Sequence, residues 1–93
     1  MFTDDTRVSA RPDVLFTQID GETVLLGQDA GIYYGLNDVG TMIWNGIQSG
    51  STLAEIRDAI TAAFDVTTES AWQDLTALLL ELKSENLIED AAR

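Results

Sequence analysis

The stretch Gly31–Trp44, GIYYGLNDVGTMIW, changes its apolar period in the middle. Ile32, Tyr34 and Leu36 alternate with Tyr33 and Gly35, which is the two-residue period of a strand. From Val39 onward, apolar residues recur at Ile43 and Ile47, with Met42 and Trp44 beside them, which is helical spacing. Asn37 stands at the switch. Its short side-chain oxygen can accept from the first free N–H groups of a helix, so it reads as an N-cap. A strand therefore runs almost directly into a helix. A strand so placed can leave one edge unpaired, and an unpaired edge can accept a peptide.

The segments on either side complete an α+β pattern. Pro12 suits the entrance to a strand because it has no backbone donor. Val14 and Phe16 then alternate with Leu15, Thr17 and Ile19. Asp20-Gly21 is a hairpin signal, since both positions tolerate positive φ. Glu22–Leu26 follows as a second strand, Gln28-Asp29-Ala30-Gly31 as a second turn, and Ile32–Leu36 as the third strand. The spacing predicts a first helix over Val39–Ser49, closed by Gly50. Gly40 and Gly46 weaken it by roughly 1 kcal/mol each relative to Ala, and a glycine inside a helix often marks close packing. Thr52-Leu-Ala-Glu55 has capping-box spacing, and Leu53, Ile56, Ile60 and Phe64 form the buried stripe of a second helix. A third helix begins at Thr67 or Thr68 and runs to about Glu85. Asn86 can take the left-handed conformation that ends it, and Leu87 and Ile88 return toward the core. On the third helix, Ala71, Trp72, Leu75, Leu78, Leu79 and Leu82 cover one arc, with Leu75 and Leu82 at its centre, Asp74 on one border and Leu80 facing away.

Composition removes several classes of function. The chain has 93 residues, which fits one domain, and 45% of them are apolar. No apolar run is long enough to span a membrane, and the polar, acidic start MFTDDTRVSARPD is not a signal peptide. The expected location is the cytoplasm. There is no cysteine and no histidine, so there is no thiol nucleophile, no disulfide and no thiolate metal site. No nucleophile, base and orienting group occur together, and the acids are too scattered in sequence to claim a metal. Neither an enzyme nor a cofactor is expected. Sixteen acids against five bases give a formal net charge of −11. A phosphate backbone would be repelled, because nucleic-acid affinity comes largely from Lys and Arg displacing counterions.

The order of three strands and three helices is that of a winged helix-turn-helix with its β part first. Gly31-Ile-Tyr-Tyr-Gly-Leu-Asn37-Asp-Val-Gly40, followed by Ile43-Trp44, resembles the PqqD-like proteins, also called RiPP recognition elements. Thr52-Leu-Ala-Glu-Ile56 is similar to the start of that family's second helix. Asp74-Leu75, Leu78-Leu79, Leu82 and Asn86-Leu87-Ile88 are similar to its third helix and closing tail. The resemblance covers residues 13–89, leaving 1–12 as a flexible arm and 90–93 as a tail. It implies a non-catalytic protein that binds the leader segment of a ribosomally made precursor peptide. The leader adds as an antiparallel strand to the third strand and rests against the third helix. The partners implied are that leader and the modifying enzymes. These are a leader peptidase and a cyclase in lasso-peptide biosynthesis, where family leaders carry a Tyr-x-x-Pro pattern, or a radical enzyme in pyrroloquinoline quinone synthesis. The Tyr-rich third strand and Ile43-Trp44 look more like the lasso-associated copies; Asn37-Asp38 looks equally like the quinone-pathway protein.

The leader site expected on this basis comprises Ile32, Tyr33, Tyr34, Gly35 and Leu36 on the strand and Ala71, Asp74, Leu75 and Leu78 on the helix. By period alone Ile32, Tyr34 and Leu36 face the core, so their backbone is the functional part. Tyr33 faces the other way, as an exposed aromatic or as a wall for the peptide. Trp44 belongs to the core. Asp74 is an exposed helix charge or a polar contact at the groove edge. An acidic protein-interaction module on the same fold is the alternative reading.

Overall fold

The turn at Asp20-Gly21 organises the sheet. The two residues take φ values of 52° and 81°, which fits the hairpin turn that matches the right-handed twist of its strands. In the computed structural model, which describes residues 2–27 and 31–91, the order is β1 (Val8–Ala10), β2 (Val14–Ile19), β3 (Glu22–Gly27), β4 (Ile32–Leu36), α1 (Asp38–Gln48), α2 (Leu53–Ala63), α3 (Thr68–Ser84) and β5 (Ile88–Asp90). The strands β2, β3 and β4 form an antiparallel sheet in that order, with Ile19 opposite Glu22, Leu25 opposite both Phe16 and Tyr34, and Thr23 opposite Leu36. The fold is α+β, with the three helices following the three-stranded sheet. The turn expected at Gln28-Asp29-Ala30 lies outside the described residues; Gly31, which ends it, has φ 64°.

The helix ends follow the capping residues. Asn37 accepts from the Gly40 N–H at 2.9 Å and starts α1 one residue earlier than the apolar spacing alone suggests. Thr52 and Glu55 make both halves of the capping box of α2, and Thr67 accepts from the Ser70 N–H at 3.0 Å to open α3. Gly50 (φ 75°) and Asn86 (φ 58°) take the left-handed conformation after α1 and α3.

Burial of one side of each element makes the core. Leu25 and Leu36 from the sheet meet Ile43, Trp44 and Ile47 of α1, Leu53, Ile56 and Ile60 of α2, and Ala71, Leu75, Leu79 and Leu82 of α3. A buried hydrogen bond of 2.8 Å between the Thr23 and Thr41 hydroxyls ties β3 to α1. α1 and α2 approach at Gly46, where a Cβ would stand 2.6 Å from Ile56 Cγ1. Ile56 is itself buried and cannot yield. Gly46→Ala should therefore lower the unfolding temperature, because overpacking costs about 1–3 kcal/mol and outweighs the gain of up to about 1 kcal/mol in helix propensity. Gly35→Ala, where a Cβ meets nothing within 4 Å, should not.

The ends of the chain depart from the expected free arm and tail. Val8–Ala10 pairs antiparallel with Ile88–Asp90, Val8 opposite Asp90 and Ala10 opposite Ile88, and Val8 is buried; Leu87 and Ile88 are buried as well, which is the return to the core that their apolar character predicts. The Thr6 and Asp4 carbonyls accept from the Leu53 and Ala54 N–H groups, satisfying first-turn donors of α2. Arg57 holds the Asp4 carboxylate at 2.9 Å. A β ribbon and a helix start thus tie residues 4–10 to the domain.

Candidate functional site

Two-residue hairpins close on a hydrogen-bonded pair, and bonded and non-bonded pairs alternate from there. Counting from Ile19–Glu22, the N–H and C=O of Leu25 face β4, and those of Tyr34 and Leu36 face back to β3. The same count turns Val14 away from β3, and its N–H donates instead to the Arg11 carbonyl at 3.1 Å. The N–H and C=O of Tyr33 and Gly35 therefore point outward. β4 is the last strand of its sheet, so these groups form an open ladder edge.

α3 flanks that edge. Between them lies a groove of about 510 Å³ lined by Tyr34, Gly35, Leu36, Asn37, Val39, Gly40 and Ile43 on one side and by Asp74, Ala77, Leu78 and Glu81 on α3. Gly40 shapes its floor, since a Cβ there would stand 3.0 Å from Leu36 Cβ. The site has an open backbone edge, an apolar floor and two carboxylates on its helical wall. Among the described residues no group of three or more His, Cys, Asp or Glu side chains could hold a metal ion.

Five of the nine residues expected at this site line the groove: Tyr34, Gly35, Leu36, Asp74 and Leu78. Ile32 continues the same strand, and Tyr33, 73% exposed on the other face of the sheet, offers its backbone to the edge. Ala71 and Leu75 are fully buried in the core and do not line it. The reason is geometric: they share a helix arc with Leu78, but the arc turns inward under α2, and only its border faces β4. Ala77 and Glu81, which are not among the nine, also line the groove. They stand three and seven residues after Asp74, on the same face of the helix, so the spacing carried the signal.

Electrostatics adds one cross-groove contact. The Tyr34 hydroxyl of β4 donates to the Glu81 carboxylate of α3. This hydrogen bond, with burial and the Glu81 and Glu85 charges adding to it, pushes the Tyr34 phenol from 10 up to about 12. The neutral phenol is the bonded form, so its contribution to stability is complete below pH 10 and is lost as pH rises through about 12. An ultraviolet difference titration should show a late phenolate transition that Tyr34→Phe removes; an unchanged titration in that variant would contradict the assignment.

Against known proteins, the sequence matches the family described as coenzyme PQQ synthesis protein D (PqqD) over residues 22–88. No curated protein matches it by sequence. Among solved structures, the chain is similar to TbiB1 in complex with the TbiA(beta) leader peptide, at 35% identity and a TM-score of 0.84, over 91% of this chain and 99% of that one. It is also similar to a lasso peptide synthetase B1 complexed with the leader peptide, at 28% identity and a TM-score of 0.82, over 89% of this chain and 98% of that one. The family match spans the sheet edge, the groove and all three helices, and on that basis this chain belongs to the PqqD family.

Proposed function

We propose that this chain is a recognition protein that binds the leader segment of a ribosomally synthesised precursor peptide. The leader adds as a strand to β4, with its inward side chains against α3. The open edge at Tyr33 and Gly35 beside the groove carries this reading. Main-chain bonds along such an edge give affinity, and the adjoining pockets give choice among peptides. Both solved relatives are leader-peptide complexes whose folds this chain shares over nearly its whole length, which supports the same ligand class.

The role is to hold and present the leader, not to transform it. The chain has no cysteine or histidine, the groove lining has no Ser, Thr or Lys, and its one hydroxyl, that of Tyr34, is held as a neutral phenol by its bond to Glu81. The enzymes served are a leader peptidase and a cyclase of lasso-peptide biosynthesis, in the cytoplasm. The family's own description favours a second reading, in which the partner is a radical enzyme of quinone-cofactor synthesis. A nucleic acid is disfavoured: Arg11, Arg57 and Lys83 each lie within 4 Å of a carboxylate, and the net charge is −11.

Fluorescence anisotropy tests the reading. Labelled leaders from precursor frames that neighbour the gene are titrated with the pure protein. Saturable binding of a lasso-type leader supports it; binding only of a quinone-precursor peptide moves the protein to the second reading; no binding of either removes leader recognition.

A further inference from the structure

The groove beside β4 is not one continuous trough. The Tyr34–Glu81 hydrogen bond crosses it from strand to helix. Beyond Leu36 lies the compartment of about 510 Å³, floored by Val39, Gly40, Ile43 and Leu78, with Asp74 at its rim. Toward Ile32 lies a second compartment of about 360 Å³, lined by Arg11, Asp13, Gly27, Ser84, Glu85 and Asn86 as well as Ile32. Tyr34 meets Glu81, Leu36 and Leu78 line the compartment on one side of that bond, and Ile32 and Glu85 line the one on the other. The first compartment gathers the aliphatic side chains of Leu36, Val39, Ile43 and Leu78 with two carboxylates beside them, whereas Ile32 is the one aliphatic side chain lining the second, among Arg11, Asp13 and Glu85.

A strand added to β4 places the residues opposite Leu36, Tyr34 and Ile32 on the inner face, because directly opposed residues share a face. Successive inward side chains lie about 7 Å apart. In the antiparallel orientation of every strand pair described here, the residue opposite Leu36 comes first in the peptide. The middle inward residue then sits directly over the Tyr34 ring, which is held in place by Glu81. Building on the leader-binding reading, we propose that the Tyr34–Glu81 bridge is a specificity element: it requires a small residue at the middle inward position, flanked two positions before by an apolar side chain and two positions after by a polar one. The pattern read along the peptide is apolar-x-small-x-polar. The bridge acts by exclusion, since a large central side chain would have to displace a ring packed on the core and anchored at its hydroxyl.

A random-peptide phage library selected on the full, immobilised protein tests the inference. The expected result is enrichment of the apolar-x-small-x-polar pattern. Two synthetic versions of an enriched peptide, with Ala or Leu at the centre, should then differ in affinity for the parent protein by on the order of tenfold in favour of Ala. Tyr34→Ala should remove most of that difference. Glu81→Ala, a change at an exposed position, should narrow it, whereas Glu81→Gln keeps an acceptor for the phenol and should retain it. A purely structural role for the bridge would weaken both peptides alike and leave their ratio unmoved. If Tyr34→Ala does not fold, Glu81→Ala decides. Enriched peptides that lack the pattern, or equal affinity for the Ala and Leu versions, overturn this inference while leaving leader binding intact. A library that yields no binder at all, together with no binding of natural leaders, overturns the underlying reading and this inference with it.

Discussion

Gly35→Pro is expected to weaken leader binding by more than about tenfold while the protein stays folded. A proline at this position removes one outward donor, worth about 1 kcal/mol or roughly fivefold. Its ring also occupies space that the incoming strand needs. Edge strands tolerate proline when its nitrogen faces away from the neighbouring strand, and the count from the Asp20-Gly21 turn places Gly35 in that orientation. Tyr33 lies two residues away and shares it, so Tyr33→Pro should behave the same way. Tyr34→Pro is the contrasting case. Its N–H faces β3, opposite the buried Leu25, so the substitution should disrupt the hairpin and lower the unfolding temperature. Thermal melts monitored by circular dichroism, paired with anisotropy titrations, separate the outcomes. Full affinity in folded Gly35→Pro and Tyr33→Pro variants would rule out strand addition at this edge.

Leu75→Ala should have the largest effect on stability and Asp74→Ala almost none, although the two residues are neighbours. Leu75 is fully buried among the core side chains of α1, α2 and α3, and truncating a leucine in such a place costs on the order of 2–5 kcal/mol. Asp74 is exposed and lines the groove. Its truncation should leave the unfolding transition nearly unchanged and weaken leader binding several-fold, through loss of a polar contact at the rim of an apolar pocket. Leu80→Ala, at a side chain 60% exposed and absent from the groove wall, should change neither property much. Urea unfolding and leader titration of the three variants form one experiment. Normal binding by Asp74→Ala with a defect in Leu80→Ala would place the ligand on the wrong face of α3 for this account.

The parts of the fold that were legible in the sequence are those whose signal is local. The alternation of Ile32, Tyr34 and Leu36 identifies a strand and its buried face within five residues. Asn37 marks the helix start through its own side chain, and Asp20-Gly21 marks a turn that only residues tolerant of positive φ can make. The ribbon of β1 and β5 was not legible. Each strand has three residues, too few for a period, and their pairing joins opposite ends of the chain. The polar stretch FTDDTR at residues 2–7 looks like an arm because its anchors are backbone carbonyls at Asp4 and Thr6, which no side-chain pattern reports, and side-chain contacts of Asp4 with Arg57 and of Arg7 with Gly50 that span more than forty residues.

The candidate site divides along the same line. The strand half was legible because strand addition uses the backbone, and the strand itself was recognisable. The helix half was only partly so. A helical arc shows which residues are apolar; it does not show where the core ends and a groove begins. Ala71 and Leu75 fall on the core side of that boundary, and Asp74, Ala77, Leu78 and Glu81 on the groove side. The boundary is set by where α2 and β4 press on α3, and those contacts are long-range. The Tyr34–Glu81 bond is long-range as well, joining residues 47 apart in sequence.

The most direct test of leader addition at β4 is residue-resolved amide hydrogen exchange by NMR, with and without a saturating leader peptide. New protection is expected at the Tyr33 and Gly35 N–H groups, because these are the donors that the peptide's carbonyls take up. The N–H groups of Phe16 and Gln18 on the opposite sheet edge should exchange as before. Protection that appears at Phe16 and Gln18 while Tyr33 and Gly35 stay unchanged would contradict leader addition at β4, since the peptide would then be pairing with β2 and not with β4.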